Sequence, residues 1–557
     1  MSLQPQLDTA LARLQQGDVD EAIRIYTQIL GGDRHQPDAL YMLGAISFKL
    51  DQMEQALAFA DAVTLHAPQQ ARGWSLKALT LRALHRAEEA LTAAQKAIKL
   101  DPALAEAWEC AGLALMQYGR WPKAREHFER ALKHFPDHPN MHSYYALALG
   151  EEGDLPAAWR ACQAALALDP QGPAALVAKT TILTHAGHYD LALEAYQAAS
   201  VPENVRKMFA FGQGAALLLI GRFNEGYALL AADRPAHGPA ASLPDWRGEP
   251  ERDVVLYGEQ GYGDTLQFIR FAHRAQQIAS RVTVRVPTQL ERLLRSCMPG
   301  VALSVYKPLT TNERRPMHEI DPVFDFPAHA NARCSFLSLP YALHLGTDTG
   351  AKHVPYLRAD ATMTAAWRNR LAAVTEPRIA LVWGGNPQHV NDHNRSLVFS
   401  DLKPLIDKFR RHLVSMQVGP GAEEAACAGI FDATPYIKDF ADSAALLESV
   451  DLLITVDTAP AHLAGGMKKP VWVMLPFNPD WRWLLGREDS PWYPSMRLFR
   501  QPKPRDWGSV VQKLSADLER LVGGDRKVLE PVRWARGFLS RHPQAVDLEE
   551  IVTNLLR

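Results

Sequence analysis

The chain has 557 residues, of which 47% are hydrophobic and 22% are charged, a composition typical of a globular protein. This length predicts about three or four domains. The formal net charge of -2 gives no electrostatic reason to expect nucleic acid or an anionic membrane as a partner.

The cysteines and the apolar segments bear on the compartment. Five cysteines lie far apart and form no CxxC pair, so neither a zinc knuckle nor a disulfide framework is predicted. The N-terminal segment lacks a basic start followed by an apolar run, and no later segment offers about eighteen uninterrupted apolar residues. We therefore expect reduced thiols, no membrane span and a cytoplasmic location. The cysteines are Cys110, Cys162, Cys297, Cys334 and Cys427.

A period of 34 residues runs through the first part of the chain, where Pro68, Pro102, Pro136 and Pro170 each follow an alanine-rich stretch. Small residues recur with the same period, because two antiparallel helices approach closely only where side chains are short. One such position is Ala10, Gly44, Ala78, Gly112, Ala146, Thr180 and Gly214, and another is Ala22, Ala56, Ala90, Ala124, Ala158, Ala192 and Gly226. A predicted turn position is Gly17, Asp51, His85, Gly119, Gly153, Gly187 and Gly221.

These positions, with Trp74, Trp108 and Phe128, resemble the tetratricopeptide repeat. The resemblance covers about seven units over residues 1–233 and implies an α solenoid. Its concave groove is expected to bind a protein or peptide segment. A spacer that holds partners apart, or a dimerisation element, is the alternative.

The helical period stops at a segment rich in proline and glycine, which predicts a linker at 234–252. Beyond it, apolar runs alternate with helical stretches, as in an α/β protein with parallel sheets. We predict two doubly wound, Rossmann-like halves at 253–346 and 379–525, joined by a hinge region at 347–378. C-terminal helices are predicted at 526–557, and they permit dimerisation as readily as packing on another domain.

Ligands of doubly wound sheets bind at the carboxyl ends of the strands. The loops after Tyr257, Trp383, Gln417 and Val456 are therefore expected to line one cleft. In the first loop, the glycine spacing does not fit the GxGxxG dinucleotide motif, which disfavours an NAD enzyme. That loop places Asp264 at the start of a helix, where the carboxylate has either a chemical role or a simple capping role.

The remaining loops offer groups for an anionic ligand. Gly384, Gly385 and Asn386 follow a strand, and paired glycines allow backbone amides to face a phosphate whose charge Arg395 could neutralise. Glu423, in the next loop, suits a ribose or base contact, although a solvated glutamate is the more common outcome.

The fourth loop places Asp457, Thr458 and His462 around a strand-to-helix junction. Free N–H groups at a helix N-terminus favour a phosphate. The alternative is a plain helix cap with a structural histidine.

Two segments, GDTLQ from Gly263 and VDTAPAHLAGGMKKPVWVML from Val456, resemble motifs of the ADP-heptose:lipopolysaccharide heptosyltransferase family, whose fold is GT-B. The arrangement of repeats before such a domain is similar to bacterial relatives of the O-linked N-acetylglucosamine transferase. The resemblance covers roughly residues 250–525 and implies a GT-B glycosyltransferase. The chain departs from the family by having Ala459 in place of glycine and Arg395 in place of lysine.

The resemblance also implies roles for individual residues. Asp264 corresponds to the general base that deprotonates an acceptor hydroxyl. The implied donor-binding residues are Asp457, Thr458, Ala459, His462, Gly384, Gly385, Asn386, Arg395 and Glu423. The implied acceptor side is Gln260, Gly261, Tyr262 and Gly263.

Glycosyl transfer needs a base and groups that stabilise a departing phosphate. Because Asp18 to Asp20 is the only Asp-x-Asp in the chain and lies in the first repeat, we predict a metal-independent enzyme without a cofactor, using a nucleotide sugar as co-substrate. The repeats would recruit a protein or peptide acceptor. A non-catalytic scaffold with a degenerate GT-B domain, and a transferase acting on a cell-surface glycan, are the alternatives.

Overall fold

The structure is a computed structural model that describes residues 3–201, 203–232, 243–258, 261–308, 326–387, 389, 391–419, 421–531 and 538–548. The described residues form two units. One contains the chain up to Ile182 together with 547 and 548, and the other contains 183–546.

The first unit is built from antiparallel helix pairs in which each helix contacts the next along the chain. Its small-residue positions lie at the helix contacts: Ala56, Ala90 and Ala124 have no solvent exposure. A Cβ atom on Gly112 would lie 2.1 Å from Cζ of the buried Phe128. The predicted reason for the small residues, close approach of paired helices, is therefore confirmed in this unit. The helices are α1 (Leu3–Gln15), α2 (Val19–Gly32), α3 (Pro37–Lys49), α4 (Met53–His66), α5 (Ala71–Ala83), α6 (Ala87–Leu100), α7 (Ala105–Gln117), α8 (Trp121–His134), α9 (Pro139–Glu151), α10 (Leu155–Leu168) and the start of α11 (Pro173–His185).

The turn within each helix pair uses a left-handed residue at the predicted position. The residues at all seven predicted turn positions have positive φ. They include the two that are not glycine, Asp51 at 61° and His85 at 58°. A left-handed backbone is costly for residues with a Cβ atom and nearly free for glycine. Five of the seven positions are glycine for this reason.

Asp51→Gly is expected to raise the free energy of unfolding by about 0.5–1 kcal/mol. Asp51 carries a Cβ atom in a left-handed backbone conformation at an exposed turn, and glycine adopts that conformation without this cost. Urea denaturation followed by circular dichroism measures the change. Gly17→Ala is the matched reverse substitution, because Gly17 has φ of 83° and nothing lies within 4 Å of the added Cβ atom. That variant should lose a similar amount, and a neutral result for both variants would contradict the backbone argument.

The second unit begins with the end of α11 and three more helices and continues into two parallel sheets. The helices are α12 (Tyr189–Ala198), α13 (Glu203–Leu219) and α14 (Phe223–Ala232). The first sheet region comprises β1 (Asp253–Tyr257), α15 (Tyr262–Phe268), α16 (Ala272–Gln276), β2 (Arg281–Pro287), α17 (Thr288–Cys297), β3 (Ala302–Tyr306), β4 (Ala332–Ser335), α18 (Leu339–Ala342) and α19 (Ala361–Arg370). The second comprises β5 (Ile379–Val382), α20 (Asp392–Arg395), α21 (Lys403–Phe409), β6 (Leu413–Ser415), α22 (Ala422–Cys427), β7 (Phe431–Asp432), α23 (Phe440–Glu448), β8 (Leu452–Val456), α24 (Ala459–Gly466), β9 (Val471–Leu475), β10 (Met496–Arg500) and α25 (Trp507–Val522).

The strand orders are those of doubly wound sheets. The first sheet has the order β3-β2-β1-β4 and the second has β10-β9-β8-β5-β6-β7, with parallel pairing throughout. In the second sheet, β5 and β8 are neighbours, so the strand order reverses between them. The prediction of an α/β region with parallel sheets is confirmed. Loops after β5 and β8 lie at the position where such sheets bind ligands.

Two segments differ from the predicted organisation. In the predicted linker, residues 233–242 lie outside the described residues, but Trp246 is buried and its backbone N–H donates to the Arg333 carbonyl at 2.7 Å. This part of the chain is therefore attached to the first sheet beside β4.

In the predicted C-terminal helices, the described residues 538–548 are irregular. They are fixed by backbone hydrogen bonds, such as the one that His542 donates to the Gly187 carbonyl at 2.9 Å. Residues 532–537 and 549–557 lie outside the described part of the chain.

Candidate functional site

The loop after β1 and the loop after β8 meet directly, because the N-terminal turns of α15 and α24 are in contact. A Cβ atom on Gly263 would lie 2.9 Å from His462 Cδ2 and 3.7 Å from the Ala459 Cα atom. Glycine at 263 therefore permits this close approach. The first and second sheets thus present their carboxyl ends to one junction, as the sequence predicted for these two loops.

Asp264 joins the two sheet regions. Its Oδ2 atom accepts a hydrogen bond from the backbone N–H of Gly261 at 3.0 Å, and its Oδ1 atom forms an ion pair with Arg482. Its side chain is 14% exposed, and that of Arg482 is 7% exposed. Asp264 therefore makes the helix-capping contact, and it also belongs to a cluster of charged groups. Its chemical role stays a prediction.

Arg482 is the centre of that cluster and was not predicted from the sequence. It donates to Asp480 Oδ1 and to Gln267 Oε1, both at 2.8 Å, and its guanidinium lies 4.3 Å from the Trp481 ring centroid. Burial alone would lower the pKa of Arg482, but the charges of Asp480 and Asp264 raise that pKa above its ordinary value. Arg482 stays cationic, and its guanidinium links carboxylates from both sheet regions.

Asp457 follows β8 and has an unusual protonation equilibrium. Burial, together with the nearby charge of Asp480, raises the pKa of Asp457 to about 6, while Arg395 and Trp483 act in the opposite direction. Its backbone carbonyl accepts a hydrogen bond from Arg395 Nη1 at 3.0 Å. A carboxyl that titrates near neutral pH is a common feature of functional sites.

The first turn of α24 is only partly exposed. Thr458 is the N-cap residue, but its hydroxyl does not cap the helix and instead lies 3.0 Å from the Thr455 hydroxyl. His462 is buried, and its Nδ1 atom lies 2.9 Å from the Tyr493 hydroxyl. Burial, and then the charges of Arg482 and Arg270, hold the pKa of His462 well below its ordinary range, so this histidine is neutral at pH 7.

The glycine amides of the loop after β5 are already hydrogen-bonded within the protein. Gly384 donates to Gln417 Oε1 and Gly385 to the Ser396 hydroxyl, both at 2.9 Å. These two amides therefore donate to groups of the protein itself, whereas the sequence predicted that they contact a phosphate. Gln417 lies two residues beyond the end of β6 and was not predicted as part of the site.

Arg395 is held beside this loop by Asp392, to which its Nε atom donates at 3.1 Å. The structure thus brings Arg395 next to Asp457, as expected for a basic residue of the site. His389 was not singled out in the sequence, and it also belongs to this region. Burial, and then the charge of Arg395, lowers the pKa of His389 to about 4.

Three further predicted residues are either exposed or packed on an aromatic ring. Asn386 is exposed in its loop, and Glu423 is exposed in the first turn of α22. The Tyr262 ring is packed on Phe440, with ring centroids 5.2 Å apart. Gln260 lies outside the described residues.

Asp457→Asn is expected to stabilise the protein at pH 7 by about 3 kcal/mol and to have little effect at pH 4. The folded carboxyl has a pKa of about 6, above the value of 3.8 for an unperturbed aspartate, so ionisation between these values costs folding free energy. That cost grows as pH rises towards 6 and is constant above it. Denaturant titrations of the unmodified chain and of Asp457→Asn from pH 4 to pH 8 measure the difference in their free energies of unfolding. That difference should be independent of pH if the Asp457 carboxyl is unperturbed.

The helix pairs of the first unit match known protein families. Three models described as tetratricopeptide repeat match residues 13–79, 71–104 and 111–173. The pairs are tetratricopeptide repeats. A curated relative, Protein FlbA of Caulobacter vibrioides (strain ATCC 19089 / CIP 103742 / CB 15), is 26% identical over 343 residues. The match covers 57% of this chain and 56% of that relative, so the chain spans little more than half of the relative's length.

Solved tetratricopeptide-repeat proteins resemble part of the chain. A repeat protein from Parabacteroides merdae ATCC 43184 is 15% identical, covers 41% of this chain and 90% of its own, and has a TM-score of 0.36. The protein TTC0263 of Thermus thermophilus is 23% identical, covers 33% of this chain and 100% of its own, and has a TM-score of 0.28.

None of the described helices combines the length and apolar composition needed to cross a bilayer. Within the same residues, no three His, Cys, Asp or Glu side chains are grouped in a way that could hold a metal ion. The metal-independent mechanism stays a prediction.

Proposed function

We propose that the α/β region is a GT-B glycosyltransferase that moves a sugar from a nucleotide-sugar donor to an acceptor hydroxyl. The observation that carries this proposal is the junction where Asp264, at the carboxyl end of the first sheet, meets Arg482 and the N-terminal turn of α24 from the second. Glycosyl transfer requires a base on one side of the sugar and groups that stabilise a phosphate on the other. The two sheet regions supply these groups from opposite sides.

In this mechanism, the donor phosphate lies at the N-terminal turn of α24, near Thr458 and Arg395. Arg395 and Arg482 stabilise the negative charge that grows on the phosphate as the sugar leaves. Asp264 accepts the proton of the acceptor hydroxyl. Arg482 contacts Asp264 before the donor binds. Rotation of the Arg482 side chain towards the donor phosphate would then release the Asp264 carboxylate to act as the base.

The tetratricopeptide repeats suggest a role in protein–protein interaction. We propose that they recruit the acceptor, a protein or peptide segment, for the α/β region. A cell-surface glycan as acceptor is the alternative from the sequence, and modified products analysed by mass spectrometry distinguish a protein from a glycan. The cytoplasmic location stays a prediction, and dimerisation stays an alternative from the sequence.

The proposal is tested by thermal-shift measurements with UDP, GDP, ADP and CMP and their sugars. A donor that binds the folded state raises the melting temperature by mass action. Thr458→Ala should weaken that donor about fivefold, as expected for one lost hydrogen bond of about 1 kcal/mol. Thr288→Ala, an exposed threonine at the start of α17, is the matched control and should bind normally. Absence of a shift with every nucleotide and sugar would refute donor binding.

A second candidate function is a non-catalytic platform for the repeats. It is favoured by the hydrogen bonds that already occupy the Gly384 and Gly385 amides and by the ion pair that already occupies Asp264. This function predicts no stabilisation by any nucleotide sugar and no transfer, while binding of a partner to the repeats is retained.

A further inference from the structure

The first unit has a groove on its surface between helices α6 and α8, above α7. We call it the outer groove. Its volume is about 310 Å³. The residues of its walls lie on α6 and α8, which are the second helices of two neighbouring repeats. Its lining residues are Leu91, Gln95, Leu115, Arg120, Lys123, Glu126, His127 and Arg130.

The outer groove carries uncompensated positive charge. Lys123 and Arg130 are exposed on one face of α8, and among the described residues neither forms an ion pair with a carboxylate. Arg120 is paired with Glu88 at 3.0 Å, which leaves Glu126 as the acidic residue of the lining. Lys99 follows Gln95 by one helical turn on α6 and is also exposed.

His127 adds no charge to the groove. Burial, opposed by a hydrogen bond to the Trp108 carbonyl, lowers the pKa of His127 below its ordinary value. Its Nε2 atom lies 2.8 Å from that carbonyl oxygen, which only accepts, so the ring nitrogen must donate. The ring is therefore neutral and fixed at pH 7.

The centre of the groove is apolar. Leu91 and Leu115 belong to one hydrophobic cluster, and Leu91 is only partly buried. Apart from the imidazole of His127, the lining has no aromatic ring on which a nucleic-acid base would stack. An apolar centre with cations along one side complements a peptide that places a leucine-like side chain between carboxylates.

We propose that the outer groove binds an acidic, amphipathic segment of a partner protein. The apolar residue of that segment contacts Leu91 and Leu115, and its carboxylates pair with Lys123, Arg130 and Lys99. This binding is independent of sugar transfer, so the outer groove and the α/β junction can be tested separately.

The test uses the full chain and short fluorescein-labelled helical peptides. One peptide carries leucines on one face and glutamates beside them, and a second carries lysines in place of the glutamates. Fluorescence anisotropy should show saturable binding of the glutamate peptide that weakens as salt is added. The double variant Lys123→Glu, Arg130→Glu should weaken this binding at least about tenfold, since it replaces two attractive charges by repulsive ones.

The control variant is Lys49→Glu, Arg34→Glu, which makes the same change of charge at exposed positions elsewhere in the first unit. It should bind the glutamate peptide like the unmodified chain. Equal losses in the two double variants would show a general charge effect and overturn the proposal. Equal binding of the glutamate and lysine peptides, or no binding of either, would also overturn it.

Discussion

Arg482→Ala is expected to lower the free energy of unfolding by about 3–5 kcal/mol. The substitution removes the cation that pairs with Asp264 and Asp480. The Asp264 side chain is 14% exposed and stays poorly hydrated, whereas that of Asp480 is 34% exposed. Removing one partner of a buried ion pair leaves an uncompensated charge, which costs more than the pair itself contributes. Urea denaturation at pH 7, followed by circular dichroism and by tryptophan fluorescence, measures the loss.

The matched control for Arg482→Ala is Arg222→Ala. Arg222 forms a similar side-chain ion pair with Glu225, but its side chain is 44% exposed and that of Glu225 is 56% exposed. Because solvent screens such a pair, its loss should cost less than about 1 kcal/mol. Similar losses for the two variants would show that Arg482 has no special role in joining the two sheet regions.

The repeats could be predicted in detail because their determinants are local and periodic. A left-handed turn, a short side chain at a helix contact and a proline after a helix each leave a residue type at a fixed interval. Even Asp51 and His85, which break the glycine pattern, have the backbone conformation that the period predicts.

The sheets could be predicted only where a strand is a continuous apolar run. The runs at β8 and β9 are completely buried, and hydrophobic burial on both faces is what a central parallel strand requires. The strand β4 has the sequence ARCS and was not predicted. Its buried Arg333 is compensated by Asp245, which lies in the predicted linker, so this strand depends on a partner that its own sequence does not show.

The charged cluster could be predicted only in part for a related reason. Asp264, Asp457 and Arg395 lie beside glycines or at strand ends, where sequence patterns indicate loops. Arg482 is 218 residues beyond Asp264 and lies after the end of β9, outside every motif recognised in the sequence. Its only local signal is the pair of tryptophans that flank it. A long-range ion pair of this kind becomes visible only when the two sheet regions are placed together.

Asp264→Asn is expected to lower the rate of sugar transfer by about 10²- to 10⁴-fold while donor affinity changes little. The amide keeps the size of the carboxylate, and its one oxygen can still accept a hydrogen bond from Gly261 or from Arg482, whose bonds go to two different oxygens of the carboxylate. The amide cannot take a proton from the acceptor hydroxyl. The donor identified by the thermal-shift panel serves as substrate, and transfer is followed by release of the nucleotide. Donor affinity is measured separately from the ligand dependence of the melting temperature.

Asp480→Asn is the matched control for Asp264→Asn, because Asp480 also pairs with Arg482 but lies on the donor side of the junction. Both substitutions remove one carboxylate from the same guanidinium, so both should disturb the position of Arg482 to a similar extent. Only Asp264→Asn also removes the proposed base and should lose nearly all transfer at unchanged donor affinity. Equal transfer rates in the two variants would show that Asp264 acts through Arg482 alone, and the proton would then need another acceptor.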